Sequence, residues 1–233
     1  MPDNPTSVRP ELAVGGVPET ELSAALLERL PENLVPAPWD ARCTAMTWYS
    51  RGSKAASDAL PHSLRGAKAL AVVGGLVRYE YTPVGTYDEV FGIVVTRQGG
   101  KPVGTVVFMA VNGLETLVGG RTNWGMPKTL ASFSGDPLSG MTAKGEDTTW
   151  QVTAKARVIG PPIPYKTNGT AVQEFADGTP QASLLTGKFR MKPALVTVDV
   201  TSDGSLPAWL RPGRHLGAVS PQMEFSLGVP KPA

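Results

Sequence analysis

The stretch GGRTNWGMPKTLASF, residues 119–133, sets one lysine, Lys128, directly behind a proline and among Trp124, Met126, Leu130 and Phe133. A lysine in such surroundings has two options. It can run its stem across apolar surface and leave the ammonium in water, or it can be held dry, where lost hydration disfavours the charged form and frees an amine for chemistry. An uncharged amine attacks a carbonyl carbon and, with loss of water, gives a protonated imine. The imine accepts the electron pair left when a bond to the adjacent carbon breaks. The departing group can be carbon dioxide, a proton or an aldehyde, so the lysine alone implies a set of reactions.

Such an amine needs a cavity, and the rest of the chain reads as a fold that could supply one. The 233 residues are 41% hydrophobic and 18% charged, with 26 Gly and 22 Pro, a composition suited to many short strands joined by turns. KALAVVGGLVRYEY, EVFGIVVTR and PVGTVVFMAV, with QGG and NGL between them, predict an antiparallel meander. MTAKGEDTTWQVTAKARVIG predicts a hairpin around Gly145, Glu146 and Asp147, and LVTVDVT and MEFSLGV predict further strands. GPPIPYKTNG, residues 160–169, reads as a rigid loop. Two short helices are expected, one over PETELSAALLERLP capped by Thr20 and stopped by Pro31, one over SKAASDALP capped by Ser53. Residues 1–17 read as a flexible arm on a single domain spanning residues 1–233. The fold class expected is mainly β, an antiparallel closed or nearly closed β cone or barrel with a few short helices, because closure removes strand edges and can leave a central cavity.

Bulk properties narrow the chemistry. Twenty-two Lys plus Arg against 20 Asp plus Glu give a net charge of +2, with no electrostatic case for a nucleic-acid or anionic-membrane partner. One cysteine, Cys43, and two histidines, His62 and His215, argue against a disulfide framework and against a zinc or iron–sulfur site. The N-terminal residues lack the order of a signal peptide and no apolar run is long enough to span a bilayer, so a cytoplasmic protein is expected.

The segment Arg121-Thr122-Asn123-Trp124-Gly125-Met126-Pro127-Lys128-Thr129-Leu130 resembles the active-site motif of the acetoacetate decarboxylase family, and the family's Schiff-base lysine falls on Lys128. Val77-Arg78-Tyr79-Glu80 and Gly85-Thr86-Tyr87-Asp88-Glu89 resemble the two family segments that each bring a glutamate into the cavity. Arg42, nineteen residues before Pro61, sits like the family's cavity arginine. The resemblance runs from about Arg42 to about Phe225. Two positions depart from it: Thr129 stands where the family has a second lysine, and Thr122 where it has an acidic residue.

The resemblance implies a Schiff-base lyase that decarboxylates a small β-keto acid of the acetoacetate type, with no metal or organic cofactor and a tendency to form homo-oligomers. Lys128 would be the nucleophile, with Arg42, Glu80 and Glu89 as the polar side of the cavity and Trp124 and Met126 as its wall. Arg121 reads as a support for the loop carrying the motif. Because the second lysine is missing, desolvation or an approach of Arg42 would have to activate the amine. Thr129 also leaves open an aldolase or dehydratase acting on a pyruvate-like acid. A β barrel that binds a small apolar carbonyl compound without catalysis is the third reading.

Overall fold

The computed structural model describes residues 9–233. Its strands are β1 (Trp39–Arg51), β2 (Ala71–Tyr81), β3 (Tyr87–Gln98), β4 (Lys101–Val111), β5 (Lys128–Asp136), β6 (Gly140–Gly145), β7 (Trp150–Val158), β8 (Ile163–Glu174), β9 (Pro180–Ser202), β10 (Gly213–Leu227) and β11 (Lys231–Pro232). The helices are α1 (Ala24–Arg29), α2 (Lys54–Asp58), α3 (Leu114–Trp124) and α4 (Leu206–Trp209). Neighbouring strands run in the order β10-β1-β2-β3-β4-β5-β6-β7-β9, and a β10–β9 pairing closes them into a ring of nine. The predicted meander is β2, β3 and β4, and the predicted hairpin is β6 and β7.

Strands β1 to β4 bury both faces, so their alternate side chains divide between two interiors. Met46, Trp48, Leu76, Val90, Val94 and Phe108 pack into the main core together with Trp150, Val196 and Trp209 from across the ring. The intervening residues, among them Ala41, Cys43, Tyr79, Tyr87, Glu89 and Phe91, line a cavity on the opposite face. That cavity is covered by Ala171 of β8, Leu185 of β9, and Met223, Phe225 and Leu227 of β10. Strand β9 is long enough for both duties: residues 180–191 pair with β8 and residues 194–202 pair with β7.

Around the ring, one junction breaks the antiparallel rule. Met109, Ala110 and Val111 of β4 pair in parallel with Lys128, Thr129 and Leu130 of β5. Parallel neighbours need a crossover, which a helix usually supplies, and α3 is that crossover. The sequence reading gave this segment no helix. Its residues Thr116 to Arg121 and Trp124 are buried, it contains two adjacent glycines, and Gly113 provides no capping side chain, so neither an amphipathic stripe nor a cap announces it.

Three further expectations are corrected. Residues 1–8 of the expected arm lie outside the described residues, whereas residues 9–17 are tied down: Leu12 is fully buried and the Val17 amide donates to Val107 O at 3.0 Å. Helix α1 is capped by Ser23, whose hydroxyl accepts from the Leu26 amide, because Thr20 spends its hydroxyl on Val17 O. The segment expected as a loop at residues 160–169 enters β8 at Ile163; Pro164 is tolerated there because this part of β8 pairs only with β9 and forms an edge. Ser53 caps α2 as expected.

Candidate active site

Lys128 is the first residue of β5, and its position follows from how α3 ends. Gly125 adopts φ of +65°, its amide bonds to Arg121 O at 3.0 Å, and a Cβ there would lie 2.8 Å from the Glu174 carbonyl oxygen. Glycine is therefore required to stop the helix. Pro127 prevents its resumption, and Lys128 enters the strand beside Met109. The two helix glycines make room: a Cβ on Gly120 would meet the Lys128 Cδ at 2.5 Å, and one on Gly119 would meet the Trp39 ring at 2.5 Å.

Arg121 locks this arrangement. Its guanidinium donates to the Lys128 carbonyl at 2.7 Å, to Leu12 O at 2.6 Å and to Thr20 O at 2.5 Å, tying the lysine backbone to the N-terminal segment. It is almost fully buried, and these three hydrogen bonds all go to carbonyls. Burial pulls its pKa down to about 9, which leaves it charged at neutral pH.

The Lys128 side chain is 4% exposed, and its Nζ lies 2.9 Å from Glu89 Oε2, a residue 3% exposed. Nζ also donates to Thr116 Oγ1 at 2.9 Å and stands 5.0 Å from the centre of the Tyr87 ring. Tyr79 donates its hydroxyl to the other Glu89 oxygen at 3.1 Å and stacks on Tyr87, ring centres 4.4 Å apart. Burial alone would lower the lysine's pKa; the Glu89 carboxylate, with a smaller contribution from Tyr87, more than offsets this and raises it above the usual 10.5. The expectation that desolvation or Arg42 would lower it is thus corrected. The 2.9 Å contact with Glu89 therefore favours the ammonium form of Lys128. Burial also pushes Tyr87 up to about 12, so its phenol stays protonated at neutral pH.

The cavity holds about 190 Å³. Its polar lining comprises Lys128, Glu89, the phenols of Tyr79 and Tyr87 and the hydroxyls of Thr47 and Thr82; the rest is apolar, including Trp124 and Met126. Among the described lining residues Lys128 is the sole cation.

Arg42 and Glu80 are not in this wall. They face each other at 3.4 Å, each side chain about half exposed, and Thr44 adds a 3.1 Å bond to Glu80. The reason is the two-residue period of strands. Ala41, Cys43 and Tyr79 line the cavity, so Arg42 and Glu80 turn away from it, as do Arg78 and Asp88, which pair at 2.8 Å. Val77 sits opposite Glu89 across the β2–β3 ladder, a register that makes Val77 and Tyr79 the cavity residues of VRYE. Thr129, in the position of the missing second lysine, pairs with Ala110 and points to the main core; its hydroxyl has no hydrogen-bond partner among the described residues. Sequence reasoning missed Tyr79, Tyr87, Thr116 and Gly120. For the two tyrosines the signal was available in the alternation that carries Glu89 inward.

The family model described as acetoacetate decarboxylase (ADC) matches residues 27–159, more than half of the chain. The chain belongs to the acetoacetate decarboxylase family. No curated protein sequence matches it. Its fold resembles the acetoacetate decarboxylase of Legionella pneumophila (TM-score 0.56, 14% identity, 85% of this chain and 88% of that one covered). It also resembles the enduracididine biosynthesis enzyme MppR complexed with the condensation product of pyruvate and imidazole 4-carboxaldehyde (TM-score 0.60, 16% identity, 85% and 90% covered). A third similar fold is an acetoacetate decarboxylase-like enzyme from Sphingomonas wittichii RW1 (TM-score 0.55, 14% identity, 86% and 94% covered). The family assignment supports an enzyme of the Schiff-base type, and the three solved structures support the fold. Among the described residues no helix is long and apolar enough to cross a membrane.

Proposed function

We propose that the protein is a Schiff-base-forming lyase that decarboxylates a small β-keto acid through Lys128. The observation that carries this is the buried Lys128–Glu89 pair, 2.9 Å apart, in a mainly apolar cavity. Glu89 takes a proton from the ammonium, and the freed amine adds to the ketone. Glu89 returns that proton to the departing hydroxyl, so water leaves and a protonated imine remains. The bond to the carboxylate then breaks, carbon dioxide departs, and its electron pair runs to the imine nitrogen to give an enamine. A second proton, drawn from solvent through Glu89, goes to the α carbon, and water hydrolyses the product imine to a ketone and the ammonium. One proton is consumed per turnover.

The apolar lining suits this step. With no arginine among the described lining residues, the substrate carboxylate shares the single positive charge of the imine with Glu89, and its loss as carbon dioxide removes a poorly compensated anion. The reading needs no metal or organic cofactor, and it includes a cytoplasmic homo-oligomer. Ile163, Tyr165 and Leu184 on the β8–β9 ladder, each about half exposed, are apolar surface that self-association would cover. The test is carbon dioxide release from acetoacetate by the wild type and by Lys128→Arg, which keeps a cation but supplies no nucleophilic amine. Release by the wild type and its abolition in the variant are expected; equal release by both refutes the role of Lys128.

A pyruvate-type aldolase or dehydratase is the second reading, favoured by the fold shared with MppR and by Thr129. Consumption of pyruvate in the presence of an aldehyde, without carbon dioxide release, would select it.

A further inference from the structure

One side of the cavity is a chamber walled by Trp39, Val106, Met109, Trp124, Met126 and Leu227. Two of these side chains carry a polar edge, and both edges are turned away and used. Trp39 Nε1 donates to the carbonyls of Val35 at 3.2 Å and Pro36 at 3.1 Å, and Trp124 Nε1 donates to Gly228 O at 2.8 Å. The two indoles lock edge to face, ring centres 5.0 Å apart at 84°, so the chamber meets only carbon surfaces and the Met sulfurs. Its one neighbouring cation, Lys128, is already matched by Glu89. Arg42 and Lys188 lie in a separate surface depression bordering the cavity at Ala41 and Phe225, and neither lines the chamber.

We infer that this chamber selects substrates whose carbonyl carries an uncharged alkyl group larger than methyl, and rejects those with a second charge there. The inference rests on Lys128 forming the imine and specifies what lies on the far side of the reacting carbonyl. The size agrees. A dry apolar cavity of about 150 Å³ accepts benzene, so about 190 Å³ takes roughly eight carbon-sized atoms. A carboxylate entering the chamber would lose its hydration with no cation or donor to replace it. Each methylene that leaves water for the chamber improves binding about fourfold, so a propyl tail should outperform methyl by more than tenfold.

Methyl ketones test this directly, because decarboxylation of a tailed β-keto acid yields a methyl ketone that forms the same imine. Acetone, 2-butanone, 2-pentanone, 2-hexanone and phenylacetone are compared with 4-oxopentanoate and 5-oxohexanoate. The readout is the ketone concentration giving half-maximal borohydride-trapped adduct by intact mass, with trapping on butylamine as the reference for intrinsic reactivity. The expected result is a fall of about fourfold per methylene up to 2-hexanone, weak trapping by phenylacetone, whose nine carbons exceed the space, and at least 100-fold weaker trapping by the two oxo acids than by 2-pentanone. If acetone traps but the series is flat, or the oxo acids trap as well as the neutral ketones, the inference is overturned while the imine chemistry stands. If no ketone gives an adduct, the inference and the proposed function fall together.

Discussion

Glu89→Gln is the perturbation that separates the two jobs assigned to the carboxylate. In the wild type the ammonium and carboxylate are 2.9 Å apart and both are buried. At an effective dielectric constant of about 20 this contact favours the ammonium by roughly 6 kcal/mol. Glutamine retains the shape and one neutral hydrogen bond worth about 1 kcal/mol, so most of the effect should be lost. Burial, which already lowers the lysine's pKa, then acts without its main opponent. The variant amine should become neutral at a much lower pH. The assay is the pH dependence of borohydride trapping with acetone, a ketone that carries no charge of its own. The midpoint should move down by at least two pH units, while decarboxylation falls about 10²- to 10⁴-fold because the proton shuttle is gone. Stability gives a second reading. In the wild type the raised lysine contributes stability that is lost as pH rises beyond 10.5, whereas a lysine lowered by burial makes the variant more stable at pH 9 than at pH 7. An unchanged or raised trapping midpoint in a folded variant would refute the pairing argument.

Other positions give independent checks. Gly120→Ala gains about 1 kcal/mol of helix propensity but pushes a Cβ against the Lys128 stem, so little net change in melting temperature is expected together with at least a tenfold loss of trapping rate. Thr129→Lys, which restores the family's second lysine, puts a cation into the main core rather than beside Lys128; thermal denaturation should reveal a loss of several degrees, with the trapping pH midpoint of the remaining folded protein unmoved. Arg42→Ala removes one half of an exposed pair, and both stability, within about 1 kcal/mol, and acetone trapping should be unaffected; a tenfold loss of trapping would return Arg42 to the site. Burial pushes the Cys43 thiol from 9.0 to about 12 and the Tyr87 phenol from 10.0 to about 12. Both groups hold their protons more tightly when folded, so stability should decline as pH rises from about 9 to 12, and Cys43 should resist thiol reagents at pH 8 until the protein is unfolded.

The strands were legible because β2, β3, β4 and the β6–β7 hairpin carry runs of β-branched and apolar residues between glycine-rich turns. Lys128 was legible because a lysine among Trp124, Met126 and Leu130 contradicts its surroundings. Helix α3 was not, because it is packed on nearly every side and its glycines exist to admit Trp39 and the Lys128 stem, a requirement set by residues distant in the chain. Arg42 and Glu80 were misassigned because their types suit a cavity, whereas the pleat of the strand decides which way they face. Glu89 together with the β2–β3 register would have assigned the inward positions to Val77 and Tyr79. Raising rather than lowering the lysine's pKa required the 2.9 Å approach of Glu89, which depends on β3 and β5 lying on either side of β4.

The most direct test of the account is intact-protein mass spectrometry after borohydride reduction in the presence of acetoacetate, with peptide mapping of the product and Lys128→Ala alongside. A single reduced adduct of the product ketone on Lys128, absent from the alanine variant, is the result the account predicts. An unmodified protein that nonetheless releases carbon dioxide from acetoacetate, or an adduct on another lysine, would contradict it.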